Sequence, residues 1–161
     1  MSDALAVHEL SSAGPDQTAD IGAIVGRCLR PGDFVGLDGP LGAGKTQFVK
    51  GVAAGLAVPA DEPVVSPTFV LVREYAGRLK LYHLDAYRLT AADELRELGL
   101  DEMLAEPGAV VALEWADRVE AVVPPRALRV ELEHAGEWQR RLRLRWSFGR
   151  LAEVRAALGA G

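Results

Sequence analysis

The chain of 161 residues has a single cysteine, Cys28, which excludes an internal disulfide and any cysteine-rich zinc site. It has no apolar run of 18 residues, so no membrane-spanning helix is expected. Residues 1–9 carry no basic stretch ahead of an apolar one, so no secretory leader is expected either, and the protein reads as cytosolic and soluble. Basic charge is in deficit, with 18 lysines and arginines against 23 acids and a net charge of −5. That balance argues against a dominant surface for the nucleic-acid backbone, which needs clustered cations. Lysine is the scarcest part of it: only Lys45, Lys50 and Lys80 occur. What remains is globular in composition, with 25% charged and 49% apolar residues. A chain of this length can bury roughly two thirds of its unfolded surface, enough for one domain.

No linker, repeat or low-complexity tract divides it. Pro15 to Leu29 reads as a helix, because Ile21, Ile24, Val25, Cys28 and Leu29 form one apolar stripe. Cys28 on that stripe is expected to be a buried core thiol. Phe34 to Leu37 reads as a short strand, and a helix is expected from Lys45 to about Leu56. Pro59, Pro63 and Pro67 mark an extended loop. Phe69–Tyr75 and Arg78–Asp85 read as strands joined at Ala76-Gly77. Thr90 is expected to cap a helix running to about Leu98. The uninterrupted apolar run Ala109–Leu113 has the pattern of a strand covered on both faces.

Further on, Leu128, Val130 and Leu132 alternate with Arg129, Glu131 and Glu133. Leu142, Leu144 and Trp146 likewise alternate with Arg141, Arg143 and Arg145. This predicts a second hairpin whose arginines pair across the strands with Glu131 and Glu133. A last helix is expected over about Arg150 to Leu158. Helices around an apolar strand core, with hairpins attached, make an α/β sandwich.

One stretch carries specific chemistry. Gly39-Pro-Leu-Gly-Ala-Gly44-Lys45-Thr46 satisfies G-x-x-x-x-G-K-[ST]. Glycines let the backbone turn so that successive N–H groups face phosphate oxygens, and the following helix adds its positive dipole end. Lys45 would reach the β- and γ-phosphates, and the Thr46 hydroxyl would ligate Mg²⁺. With lysine so scarce, a chance match is expected in only about 0.002 of chains of this composition. Gly39, Leu41, Gly42, Ala43, Gly44, Lys45, Thr46 and Gln47 are therefore expected to line a nucleotide site for ATP or ADP.

Such a site needs an acid at the end of a neighbouring strand to help hold the metal. Asp85 and Glu114 both end predicted strands, and each could instead be a solvated strand end or a helix cap. Asp38, just before the loop, points less obviously at the metal. Ser66-Pro67-Thr68 is either a γ-phosphate-sensing switch or a plain turn. Trp115 either shields the site or belongs to the core. His8, His83 and His134 have no metal-like spacing and read as structural or incidental. Two rival readings accompany an ATPase: a small-molecule P-loop kinase, although no arginine-bearing lid insertion is evident, and a nucleotide-gated binding module.

Four blocks together, Gly39–Thr46, Ser66–Tyr75, Tyr82–Leu89 and Leu113–Trp115, resemble the TsaE (YjeE) family in order and spacing. The resemblance runs from about residue 10 to the C-terminal hairpin. It implies an α/β fold, with a P-loop NTPase-like, mainly parallel sheet flanked by helices and extended by antiparallel hairpins, over one domain. It also implies ATP hydrolysis with Mg²⁺ in tRNA threonylcarbamoyladenosine biosynthesis. The implied partners are TsaD and TsaB, with tRNA reached through that complex. Carried onto this chain, Lys45 and Thr46 hold phosphate and metal, Glu114 ligates the metal, and Asp85 is the Walker B-like acid. Thr68 belongs to the switch, Trp115 lies near the site, and residues 12–16 and Arg140 approach the nucleotide. Ala116-Asp117 departs from the family, where many members have proline after the tryptophan.

Overall fold

The computed structural model describes residues 4–67 and 71–160. Its strands are β1 (Leu5–Ser12), β2 (Phe34–Asp38), β3 (Val72–Ala76), β4 (Lys80–Asp85), β5 (Ala109–Glu114), β6 (Leu128–His134) and β7 (Arg140–Ser147). They form one sheet in the order β1-β7-β6-β2-β5-β4-β3. The central strands β6, β2, β5 and β4 run parallel, and antiparallel pairs close both flanks. β5 sits between two parallel neighbours and is buried at every position, as its unbroken apolar run requires.

Alternation along the strands divides the core between the two sheet faces. Val35, Leu37, Leu81 and Ala112 point to a layer made with α1 (Pro15–Cys28), α2 (Lys45–Gly55) and α5 (Phe148–Ala160). Phe34, Tyr82, Leu84 and Leu113 point the other way, toward α3 (Asp93–Glu97) and α4 (Leu100–Ala105). No helix among the described residues is long and apolar enough to cross a membrane.

Several expectations need correction. The strand β1 has no counterpart in the sequence reading: it is an edge strand whose only ladder partner, β7, lies more than 120 residues away. The helix expected from Thr90 to about Leu98 is present as the shorter α3, and α4, which starts after the left-handed Gly99, has no counterpart in the sequence reading. Thr90 does not cap α3. Its hydroxyl donates to Glu94 Oε1 at 2.7 Å, and the N-cap is Ala92. Cys28 is only partly buried, packed at the margin of the core, where burial and Glu153 raise its thiol pKa. In the hairpin, Glu133 faces Arg141 and pairs with it at 2.9 Å, and Glu131 faces Arg143. Arg129 instead faces Arg145, a like-charge opposition that it escapes by turning to Asp38 and Glu120.

Candidate functional site

The carboxyl ends of β2, β5 and β4 open at one edge of the sheet, where α/β proteins place their ligands. β2 leads into the glycine-rich loop, and α2 begins at Lys45. Gly44 precedes the helix at φ 106°, a left-handed conformation that a side chain would strain. Gly39 is required for a second reason: a Cβ there would collide with the Leu132 carbonyl of β6. The loop is thus pressed against the neighbouring strand. Ala43 N–H donates to Pro40 O at 3.1 Å and holds the turn closed.

Lys45 is 5% exposed. Its ammonium donates to Gly39 O at 2.6 Å and Pro40 O at 3.0 Å, and lies 3.9 Å from the centre of the Trp115 ring. Burial pushes its pKa below the ordinary lysine range, against the opposing pull of Glu114, Asp85, Asp38 and Asp117. Thr46 Oγ1 donates toward the Glu114 carboxylate, 3.0 Å from Oε1 and 2.9 Å from Oε2. Glu114, at the end of β5, is 3% exposed.

Asp85 is paired with Glu114 in the β4–β5 register, so the two acids end adjacent strands side by side. Asp85 accepts from the Ser66 hydroxyl at 3.1 Å and from Tyr87 N–H at 2.7 Å. The first bond ties the proline-rich loop after α2 to the sheet. Thr68, expected in the same loop, lies outside the described residues. Trp115 adopts φ 61°, unusual for a residue with a side chain, and packs on Tyr87 with ring centres 5.0 Å apart. Arg118 lies 5.1 Å from each of those rings. The chain after Trp115, where the family's proline is missing, enters a 3₁₀ segment, Ala116–Val122.

These groups line a cleft of ≈ 390 Å³ formed by Leu41, Gly42, Gly44, Lys45, Thr46, Gln47, Ser66, Asp85, Tyr87, Glu114 and Trp115. A smaller cleft of ≈ 190 Å³ adjoins it across Gly42, Gly44 and Gln47, and is bounded by Pro15, Thr18, Trp138 and Arg140. Arg140 reaches the loop and donates to Gly42 O at 3.2 Å. Ser12, by contrast, is buried and hydrogen-bonded to Thr18 at 2.7 Å, so Pro15 is what residues 12–16 contribute to this cleft. A larger depression of ≈ 540 Å³ lies beyond Gly39 and Pro40, over the charged face of β6 and β7 and beside Asp117 and Glu120 of the 3₁₀ segment. Its wall is a lattice of paired charges, and neither Lys45 nor Thr46 borders it.

Asp38 is not part of the metal side. Its carboxylate is taken by Arg129 at 2.6 Å and by Asp117 N–H at 2.8 Å. His83, read as structural or incidental, is fully buried, with Nε2 2.6 Å from Glu114 Oε2. One signal was available: His83 stands two residues before Asp85 on the same strand, and therefore on the same face. His134 also approaches the loop, at 3.3 Å from Leu41 O.

Among the described residues no three His, Cys, Asp or Glu side chains gather as a metal cage. A hydroxyl and one carboxylate in contact are hard oxygen donors. They suit Mg²⁺, which keeps several waters and shares its shell with phosphates.

A lysine-headed helix behind a glycine loop, set on the central strand of a sheet flanked by helices, gives the chain the architecture of P-loop NTPase-like α/β proteins. The family model for threonylcarbamoyl adenosine biosynthesis protein TsaE matches residues 12–142. The tRNA threonylcarbamoyladenosine biosynthesis protein TsaE of Treponema pallidum (strain Nichols) is 40% identical over 131 residues, spanning 81% of this chain and 95% of that protein. Its namesake from Bacillus subtilis (strain 168) is 40% identical over 132 residues, 81% of this chain and 80% of that one. A crystal structure of Bacillus subtilis YdiB aligns with a TM-score of 0.79 and 32% identity, covering 99% of this chain and 98% of the other. The chain belongs to the TsaE family of threonylcarbamoyl adenosine biosynthesis proteins.

Proposed function

We propose that this protein is a Mg²⁺-dependent ATPase of the cytoplasm whose hydrolysis cycle resets or drives a TsaD–TsaB complex during tRNA threonylcarbamoyladenosine modification. The observation that carries the reading is the convergence of the Lys45 loop, the Thr46–Glu114 pair and the Asp85–Ser66 pair on one cleft.

The phosphates would lie against the N-terminus of α2, where unpaired N–H groups and the helix dipole favour anions. Lys45 would leave the Gly39 and Pro40 carbonyls for the β- and γ-phosphate oxygens, exchanging two neutral acceptors for an anion. Thr46 and Glu114 would hold Mg²⁺, which supplies neutralisation of phosphate charge when bound. Asp85 would orient water at the γ-phosphate end, and Ser66, with Thr68, would report whether that phosphate is present. Trp115 would cover the lysine side of the cleft. Arg140 and Trp138 would border the nucleoside end, beside Pro15. Lys45→Ala is expected to weaken nucleotide binding, whereas Asp85→Asn or Glu114→Gln should retain nucleotide and slow turnover.

A net charge of −5 suits docking on proteins better than on bare tRNA. The deciding experiment is ATP hydrolysis by the purified protein with and without TsaD–TsaB, alongside multi-turnover tRNA modification. Stimulation of both supports the proposal. No stimulation together with undiminished modification in its absence sinks it.

A further inference from the structure

Glu114 is held from two sides. Thr46 Oγ1 donates to it from the start of α2, and the His83 imidazole touches Oε2 from β4. A carboxylate only accepts, so Nε2 is the donor of that 2.6 Å bond. The other ring nitrogen, Nδ1, is buried with no hydrogen-bond partner among the described residues. A side chain present only to fill this space would be apolar and leave no polar atom unpaired. His83 is fully buried two residues from Leu81, on the sheet face whose apolar cluster includes Phe48, Val49 and Val52 of α2. A polar ring that accepts one buried unpaired nitrogen in that setting is explained by the one bond it does make.

That bond has a directional consequence. Without it, Glu114 could turn about its terminal torsion, which is broad and weakly restrained in this residue type. With it, Oε2 is pinned by the ring, and the carboxylate stays turned to the Thr46 hydroxyl. Groups that orient a metal-binding side chain from behind commonly change metal affinity by 10- to 100-fold when removed.

Resting on the ATPase reading above, we propose that His83 is a positioning residue that fixes the Glu114 carboxylate against Thr46 and thereby sets the affinity of the site for its divalent cation, not for the nucleotide.

The test compares three variants with the wild-type chain. His83→Leu removes the donor. His83→Gln carries an amide nitrogen at the reach of Nε2, and His83→Asn keeps a polar group too short to meet Glu114. Mn²⁺ binding to the protein–ADP complex is followed by electron paramagnetic resonance, and ADP binding in EDTA by calorimetry. The expected result is a 10- to 100-fold weakening of Mn²⁺ binding in His83→Leu and His83→Asn. His83→Gln should recover to within about threefold of wild type, and EDTA-state ADP affinity should change less than twofold throughout. Should His83→Leu fail to fold, the Gln and Asn pair decides the matter alone.

Equal Mn²⁺ affinity in all folded variants overturns the proposal, as does a Gln variant no better than Asn. A parallel loss of ADP affinity in EDTA also overturns it, because the ring would then be shaping the whole cleft. If the wild-type chain itself binds ADP in neither condition, the ATPase reading fails, and this assignment fails with it.

Discussion

Replacing Gly51 by alanine adds one methyl group to α2 where α1 passes closest, and two opposed effects set the result. Helix propensity alone favours the change, since alanine in a helix interior is about 0.8–1.0 kcal/mol better than glycine. The local geometry opposes it. A Cβ at Gly51 would lie 2.7 Å from the Ala19 carbonyl carbon and 2.9 Å from the Ala23 nitrogen, with the Ala19 oxygen closer still. Ordinary contact begins at 3.4 Å, and the Ala19 oxygen sets the requirement, so the helices must part by about 1.5 Å. Nothing here is a flexible side-chain tip that can swing aside: the obstructing atoms are backbone. Gly22 and Gly26 on α1 and Gly55 on α2 are in the same position, each aimed at backbone of the facing helix, so the separation cannot be confined to one site.

Overpacking of this kind typically costs about 1–3 kcal/mol, which exceeds the propensity gain at most of its range. The difference spans about 0–2 kcal/mol, and contacts with backbone under 3.0 Å place Gly51→Ala at its upper end, so the melting temperature should fall by about 4–8 °C, at roughly 2–4 °C per kcal/mol for a chain of this size. Gly149→Ala is the control, because that glycine also lies in a helix and a Cβ there would meet nothing within 4 Å. It should leave stability unchanged or raise it. The assay is thermal unfolding by circular dichroism, with ADP affinity measured on the same samples. Affinity should also fall in Gly51→Ala, because α2 opens with Lys45 and Thr46 and displacing it moves both. A Gly51→Ala protein as stable as wild type would refute the close-packing argument.

Three further expectations follow from the same structure. Arg150 forks onto both Asp33 oxygens at 2.9 and 2.7 Å and donates to Cys28 O at 3.1 Å, so Arg150→Met should cost about 2–3 kcal/mol in urea denaturation. Nucleotide affinity should not change, because Asp33 precedes β2 and lies at the opposite end of that strand from the loop. Asp38→Asn should lower stability by about 1–2 kcal/mol by weakening the bond to Arg129, yet leave the Mg²⁺ dependence of hydrolysis unaltered. The last concerns pH. Burial lowers the Lys45 pKa in the empty site, and bound phosphate would raise it, so binding takes up a proton between the two values. Affinity for ADP should therefore be level below the empty-site value and fall about tenfold per unit as pH rises past it. Lys45→Arg, whose guanidinium keeps its proton, should remove that fall; an identical profile in both proteins would exclude Lys45 as its source.

The loop motif was legible because its chemistry is local: eight consecutive residues specify the turn, the helix start and the cation. The central strands were legible for a related reason, since β5 shows its burial on both faces in its own composition. β1 was not, because an exposed edge strand takes its order from β7 at the other end of the chain. The helix ending near Leu98 was legible but α4 was not, because six residues starting after the left-handed Gly99 are too few to show a helical period.

The acids show a different limit. Asp38, Asp85 and Glu114 all end parallel strands; alternation with Leu37 turns Asp38 to the sheet face away from α2, but position along the sequence does not rank the other two. Their neighbours do. Asp38 is neutralised by Arg129, a residue of β6 whose own register opposite Arg145 drives it to seek an acid. Glu114 faces the P-loop hydroxyl and is backed by His83, while Asp85 faces the loop that carries Ser66. Acids at the ends of neighbouring strands thus meet an arginine, a hydroxyl with an imidazole behind it, or a loop hydroxyl, according to sheet face and strand order. In this fold the division of labour among carboxylates is a property of strand order and of sheet face together: β5 lies between β2 and β4, and Glu114 and Asp85 follow Ala112 and Leu81 onto the face of α2, whereas Asp38 follows Leu37 by one residue onto the opposite face, beside Arg129 and Asp117.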